Sequence, residues 1–82
     1  MKNNMFKLTV AQVDKAVFEG QVTQVTCPGE AGVLTVLSHH APLVTPLKPG
    51  ELRIVDDEGK VIMVPVAGGV LEVGSNEAIV LL

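Results

Sequence analysis

The sequence predicts an all-β protein, a two-sheet antiparallel β-sandwich (a flattened barrel) of about nine to ten short strands. Short runs of Val, Ile, Leu and Thr recur between turn signals at intervals of roughly eight to twelve residues, and helical periodicity is nearly absent. So many short strands cannot bury their apolar residues in one flat sheet, whereas two sheets packed face to face can. The 82 residues are expected to form one domain, residues 1–82.

The apolar runs between turn signals give the expected strands in chain order. They span residues 5–10, 13–19, 21–27, 33–37, 43–47, 51–55, 60–64, 69–73 and 77–81. Pro42, Pro46 and Pro65 are expected on edges, bulges or strand starts, because proline cannot donate to a ladder. The last strand is apolar throughout, so it must pair within a sheet.

Turn residues separate these runs. The segment 28–32 is predicted to close a hairpin, and Pro49 and Gly50 suit the two central positions of a type II turn. Residues 56–59 and 74–76 close two further hairpins. Gly68-Gly69 within apolar surroundings indicates a bulge or a close backbone approach.

Composition excludes several classes of function. The net charge is −3 with scattered charges and two Phe, which gives neither a basic surface nor a stacking platform for nucleic acid. No apolar run approaches the roughly 20 residues that cross a bilayer. The single Cys27 suits a reducing compartment and is interpreted as a structural thiol. Hydrophobic residues make up 48%, which indicates either surface for an obligate partner or simply a valine-rich sandwich.

The adjacent His39 and His40 are the residues that most suggest chemistry. In an extended segment their side chains point to opposite faces, so the pair cannot chelate one metal ion. Ser38 lacks the glycine-flanked elbow of a hydrolase nucleophile. The sequence therefore predicts no catalytic residues, no metal and no cofactor.

The order of motifs supports a family resemblance. The chain reads PGEAGVLTVL at 28–37 and HAPLVTPLKPGELRI at 40–54, and both segments closely resemble the epsilon subunit of F-type ATP synthase. FKL at 6–8, VFEG at 17–20 and GGVLEV at 68–73 follow in the family's order, so the resemblance covers the whole length.

The resemblance implies a noncatalytic central-stalk (rotor) subunit whose N-terminal β-sandwich joins the gamma subunit to the polar loops of the membrane c-ring. Such a subunit couples proton or sodium-ion translocation to ATP synthesis. It is peripheral, reaches the membrane only through the complex, and in bacteria lies on the cytoplasmic face of the inner (plasma) membrane. Family members usually continue into a C-terminal pair of helices that can inhibit hydrolysis or bind ATP. This chain stops at Leu82, so a naturally short subunit and a truncated chain both remain open, and the helical domain is expected to be absent.

The resemblance also implies which residues contact partners. His40 matches a histidine that lies near gamma and the ring loops, and it is expected to form a hydrogen bond with a partner. His39 is expected to face solvent or the ring. Val33 replaces a frequent glutamate and Ser38-His39 a frequent Pro-Gly, both at the expected ring contact. The partner-binding residues are Gln12 and Thr45 on the gamma side, Gly29, Glu30, Ala31, Gly32 and Val33 in a turn directed at the ring, and His39, His40, Ala41 and Pro42.

Two alternatives come from other classes of protein. A generic β-sandwich module could bind a peptide or protein by adding a strand to an open edge, weakly and reversibly. A small enzyme using His39 or His40 would require stoichiometric metal in the purified protein.

Overall fold

The computed structural model describes residues 4–82, which form eight β-strands. They are β1 (Phe6–Gln12), β2 (Lys15–Gly29), β3 (Gly32–Leu37), β4 (Leu43–Leu47), β5 (Gly50–Asp56), β6 (Val61–Val66), β7 (Gly69–Gly74) and β8 (Glu77–Leu81). The prediction of an all-β fold is confirmed. Residues 4–82 contain no helix with the length and apolar character needed to cross a bilayer.

The strand count is eight because two predicted strands are one. β2 runs through Gly20, which pairs with Leu8 of β1, instead of ending there. A Cβ at Gly20 would lie 3.6 Å from the Phe18 ring, which is an ordinary contact distance, so a larger residue would also fit the continuous strand. Val13 is fully exposed in the β1–β2 turn and does not begin a strand.

The strands form two layers joined through β2. The pairings β1–β8–β7–β4 make the first layer, and the second half of β2 pairs with β5 and β3, with β6 beyond β5. The first half of β2 pairs with β1, and the register shifts between Val22 and Gln24, where β2 passes from one layer to the other. The expectation of wholly antiparallel pairing is wrong for β1 and β8, which are parallel. These two strands lie at opposite ends of the described chain, so no hairpin constrains their direction.

The core lies between the layers and is built from alternate residues of each strand. On β1, for example, Phe6, Leu8 and Val10 are buried while Lys7 is exposed. Every fully buried side chain among residues 4–82 is apolar or is the Cys27 thiol. Burial raises the pKa of the Cys27 thiol to about 11, so the thiol stays neutral, in agreement with a structural role.

The predicted hairpin at residues 56–59 is present. The Asp56 carboxylate accepts hydrogen bonds from the backbone N–H groups of Glu58 at 2.9 Å and Lys60 at 2.8 Å. Gly59 has a φ of 83°, which glycine adopts without steric cost. The predicted turn between β7 and β8 is also present, and Asn76 takes its left-handed position with a φ of 53°.

The type II turn predicted at Pro49 and Gly50 is wrong. Gly50 lacks the positive φ that the third residue of such a turn requires, and it begins β5 opposite Val66. The Lys48 N–H donates to the Pro28 carbonyl at 2.9 Å, so this segment bends along β2 instead of reversing. A Cβ at Gly50 would lie 3.0 Å from the Pro28 Cβ, which explains the small residue here.

The glycine pair at the start of β7 makes the close approach that the sequence predicted. Gly68 and Gly69 have φ values of 145° and 135°, and a Cβ on Gly69 would overlap the Leu81 carbonyl oxygen. The prolines also lie as expected. Pro42 precedes β4, Pro65 lies on the outer strand β6, and Pro46 lies on β4, which meets β2 only at one residue pair.

Candidate docking surfaces

The first candidate surface is the histidine loop, residues 38–42, which connects β3 to β4. The His40 N–H donates to the Leu37 carbonyl at 3.2 Å, and His39 has a φ of 64°. The segment is therefore a four-residue turn with His39 at its third position, and the expected extended conformation is wrong. A Pro-Gly pair at Ser38 and His39 would suit the same turn, because proline fits its second position and glycine its third.

The His40 ring is held by its own loop. Its Nδ1 lies 2.6 Å from the Ala41 carbonyl oxygen, and the side chain is half-buried. Because a carbonyl oxygen only accepts, Nδ1 carries the proton in this contact. Within the described part of the chain, Nε2 makes no hydrogen bond, so it is available to a partner.

A shallow hollow of about 410 Å³ separates the histidine loop from the β7–β8 turn. Its lining residues are His39, His40, Ala41, Pro42, Gly74, Ser75 and Asn76. The Asn76 amide donates to the Met5 carbonyl at 3.2 Å, which ties this turn to the start of β1. Residues 4–82 contain no cluster of three His, Cys, Asp or Glu side chains that could hold a metal ion.

The second candidate surface is the glycine turn, residues 29–33, which connects β2 to β3. Gly29 pairs with Gly32, and the exposed Glu30 and Ala31 form the tip. A Cβ at Gly29 would lie 2.6 Å from both the Gly32 oxygen and the Leu34 side chain, so glycine is required for this tight reversal. The Glu30 N–H donates to the Pro46 carbonyl at 3.0 Å, and Val33 beside the tip is 73% exposed.

The structure does not bring all the predicted residues together. Val33 and His39 lie at opposite ends of the 6-residue strand β3, which at about 3.3 Å per residue separates them by roughly 20 Å. Gln12 is exposed beside residues 65–68 and Leu82. Thr45 lies on β4 opposite Leu71, is half-buried, and donates through Oγ1 to the Pro46 carbonyl at 3.2 Å.

An apolar row on the outer surface of the first layer escaped the sequence interpretation. Register places Ala11, Leu81, Val70 and Pro46 side by side across β1, β8, β7 and β4. Leu81 is 47% exposed, and Val44 on the neighbouring row is 69% exposed. The sequence of β8, Glu77–Leu81, did indicate such a surface, because this strand is apolar on both faces. A strand with one face in water is expected to alternate apolar and polar residues.

The sequence matches a family described as "ATP synthase, Delta/Epsilon chain, beta-sandwich domain" over residues 5–82. The chain belongs to this family. The resemblance read from residues 28–37 and 40–54 is thereby confirmed, and so is the sandwich architecture.

Relatives of the family agree with this assignment. The chain is 40% identical over 76 residues to the ATP synthase epsilon chain of Dichelobacter nodosus, covering 93% of this chain and 53% of that relative. The chain thus spans about half the length of this curated relative. Two solved assemblies contain the same fold. One is the Euglena gracilis mitochondrial ATP synthase (OSCP/F1/c-ring), to which this chain aligns with a TM-score of 0.88 and 24% sequence identity. The alignment covers 94% of this chain and 49% of the matched chain. The other is the central stalk and c-ring of the Tetrahymena thermophila mitochondrial ATP synthase, to which this chain aligns with a TM-score of 0.75 and 18% sequence identity. That alignment covers 99% of this chain and 65% of the matched chain.

Proposed function

We propose that this chain is the β-sandwich part of a noncatalytic central-stalk subunit of an F1Fo ATP synthase, joining the gamma subunit to the c-ring and turning with both. Family membership over residues 5–82 carries the proposal. It favours this role over a free-standing peptide-binding module, and the name of the Dichelobacter nodosus relative points to the epsilon chain of a bacterial enzyme. The subunit would be peripheral to the membrane, on the cytoplasmic face of the inner membrane.

The positions of the two candidate surfaces support a bridging role. The histidine loop and the glycine turn are the two ends of β3, roughly 20 Å apart, so one rigid body can touch two partners at once. We assign the glycine turn to the c-ring and the histidine loop, with Thr45 and Gln12, to gamma. His39 then belongs with the gamma contact.

The exposed apolar side chains support permanent assembly. The apolar row across β1, β8, β7 and β4 is continuous, and Val33, Val44 and Leu81 expose between 47% and 73% of their surface. A monomer gains nothing from such a surface, whereas a subunit that is always bound buries it. The work proposed for this domain is mechanical and adhesive, and needs no catalytic group.

Binding to the cognate gamma subunit tests the proposal directly. The 82-residue chain and gamma would be co-eluted and titrated by calorimetry at two salt concentrations and several temperatures. Tight 1:1 binding with a large negative heat-capacity change is expected if an apolar surface is buried. Absence of binding at micromolar concentrations would overturn the proposed gamma contact.

The c-ring contact needs its own measurement. Purified ring in detergent would be mixed with the preformed gamma complex and with the chain alone. Retention of the chain on the ring should depend on the glycine turn, and Ala31→Asp at its exposed tip is the variant that should reduce it. In the experiment with the chain alone, Ser75→Asp, exposed in the β7–β8 turn beside the histidine loop, is the matched control. Equal retention of both variants would remove the assignment of this turn to the ring.

A further inference from the structure

In the histidine loop, Nδ1 of His40 donates a hydrogen bond to the Ala41 carbonyl. The Ala41 carbonyl oxygen lies 2.6 Å from Nδ1 of His40, and a carbonyl oxygen has no proton to give. The proton of the neutral ring is therefore fixed on Nδ1. In this neutral ring Nε2 carries a lone pair and can only accept a hydrogen bond.

From this we infer that His40 docks by accepting a hydrogen bond at Nε2, so the partner supplies a donor there: a backbone N–H, a hydroxyl or a cationic side chain. The inference rests on the proposed function, in which this loop meets gamma. It adds the chemistry of the contact, because an acceptor such as a carboxylate on gamma would find no proton on Nε2.

The loop keeps the ring in one orientation for this contact. The His40 N–H is bonded to the Leu37 carbonyl at 3.2 Å and Nδ1 to the Ala41 carbonyl, so backbone and ring are both tethered. Within residues 4–82, Nε2 has no competing hydrogen bond. A partner donor thus meets a lone pair that is already aimed, at little cost in side-chain entropy.

Nitrogen NMR of the free protein tests the first step without any partner. The ring nitrogens of His40 in the neutral state should report a protonated Nδ1 and an unprotonated Nε2. His39, which has no such carbonyl contact, is the internal control. A spectrum that shows the proton of His40 on Nε2 would overturn the inference, whatever binds the loop.

Calorimetry of gamma with three variants tests the second step. His40→Asn keeps a donor at the Nδ1 position and removes Nε2, so its affinity should fall by roughly 5- to 100-fold. His40→Gln places a carbonyl oxygen near the Nε2 position and should keep more of the affinity. Asp57→Asn, in the exposed β5–β6 turn outside both candidate surfaces, is the control and should bind gamma as the wild type does.

The outcomes separate this inference from the proposed function. No binding of gamma by the wild-type chain refutes the proposed function and removes the docking inference with it. Wild-type binding that is unchanged in His40→Asn leaves the proposed function intact and refutes the acceptor role of His40.

Discussion

Replacing Gly69 with alanine should be far more damaging than making the same change at Gly32. The two glycines have almost the same backbone conformation, with φ values of 135° and 140°, so the conformational strain of an added Cβ is about 1–3 kcal/mol at each. At Gly32 the new Cβ would meet nothing within 4 Å. The pair therefore separates backbone strain from steric overlap.

The overlap at Gly69 involves backbone atoms that have little freedom to move. Besides overlapping the Leu81 oxygen, a Cβ there would lie 3.3 Å from both the Leu81 carbonyl carbon and the Leu82 Cα. The end of β8 would have to withdraw, weakening its pairing with Val70 and the bond from Leu82 N–H to the Ala11 carbonyl at 2.9 Å. Two lost hydrogen bonds at about 1 kcal/mol each, added to the strain, give about 3–5 kcal/mol for Gly69→Ala.

Urea denaturation followed by far-ultraviolet circular dichroism is the assay, because the chain has no Trp and no Tyr to report by fluorescence. A domain of 82 residues is expected to have about 4–12 kcal/mol of stability, so Gly32→Ala should remain folded and Gly69→Ala should be marginal or unfolded. The Leu82 amide should exchange faster in Gly69→Ala than in Gly32→Ala, which would show that the end of β8 is the part that is destabilised. If the two variants unfold within about 0.5 kcal/mol of each other, the close approach contributes nothing and the reasoning is refuted.

Three further results are expected. His39→Gly should stabilise the isolated domain by about 0.5–1 kcal/mol in the same urea assay, since it removes left-handed strain, while His39→Ala should give no gain. Val33→Glu should change stability by less than about 0.5 kcal/mol, because Val33 is 73% exposed, yet it should make retention on the c-ring salt-dependent. Val61→Glu, at a 45% exposed position on β6 outside both candidate surfaces and the apolar row, should not have this effect on retention. Cys27 has a pKa raised from 9.0 to about 11, so its stabilising effect is complete below pH 9 and is lost as the pH rises towards 11. Denaturation between these pH values should show a loss of up to about 2 kcal/mol in wild type that Cys27→Ala lacks.

Local rules were sufficient for most of the fold. The hairpin at residues 56–59 follows from an Asp that bonds its own turn and a Gly with positive φ, both of which are visible in the sequence. The glycine pair at 68–69 likewise predicted a close backbone approach, which the structure shows between Gly69 and Leu81. These features are set by contacts a few residues apart, or by a conformation that glycine alone adopts without steric cost.

Features set by distant contacts were not predictable in the same way. Gly20 looked like a strand break, but its pairing with Leu8 of β1 keeps β2 continuous. Gly50 looked like a turn residue, but its small size serves the approach of Pro28, which lies 22 positions earlier in the chain. At Gly50 the sequence shows that a side chain is missing, and only the fold shows that Pro28 occupies the space.

The candidate surfaces also combine features that the sequence predicts with features that depend on the fold. The family resemblance supplied the residues of the histidine loop and the glycine turn, and the length of β3 adds that Val33 and His39 lie at opposite ends of this strand. The turn at Ser38 and His39 was misread as extended, since His39 occupies a conformation for which histidine gives no sequence signal. The apolar row was missed because its members come from four strands whose register is a tertiary property.

The way the chain crosses between the layers bears on the proposed mechanical role. It passes from one layer to the other within β2 at Val22–Gln24, through the histidine loop, at residues 48–49 and at residues 67–68. Rotating one layer against the other would have to break the Lys48–Pro28 hydrogen bond, which lies at one of these crossings. The glycine turn and the histidine loop are joined by β3, which is paired along its length with β2. A load applied at one surface would therefore reach the other through a hydrogen-bonded ladder. A variant that loosens a crossing, such as Gly50→Ala, whose Cβ would lie 3.0 Å from the Pro28 Cβ, should weaken coupling between gamma and the ring even where both docking surfaces are unchanged.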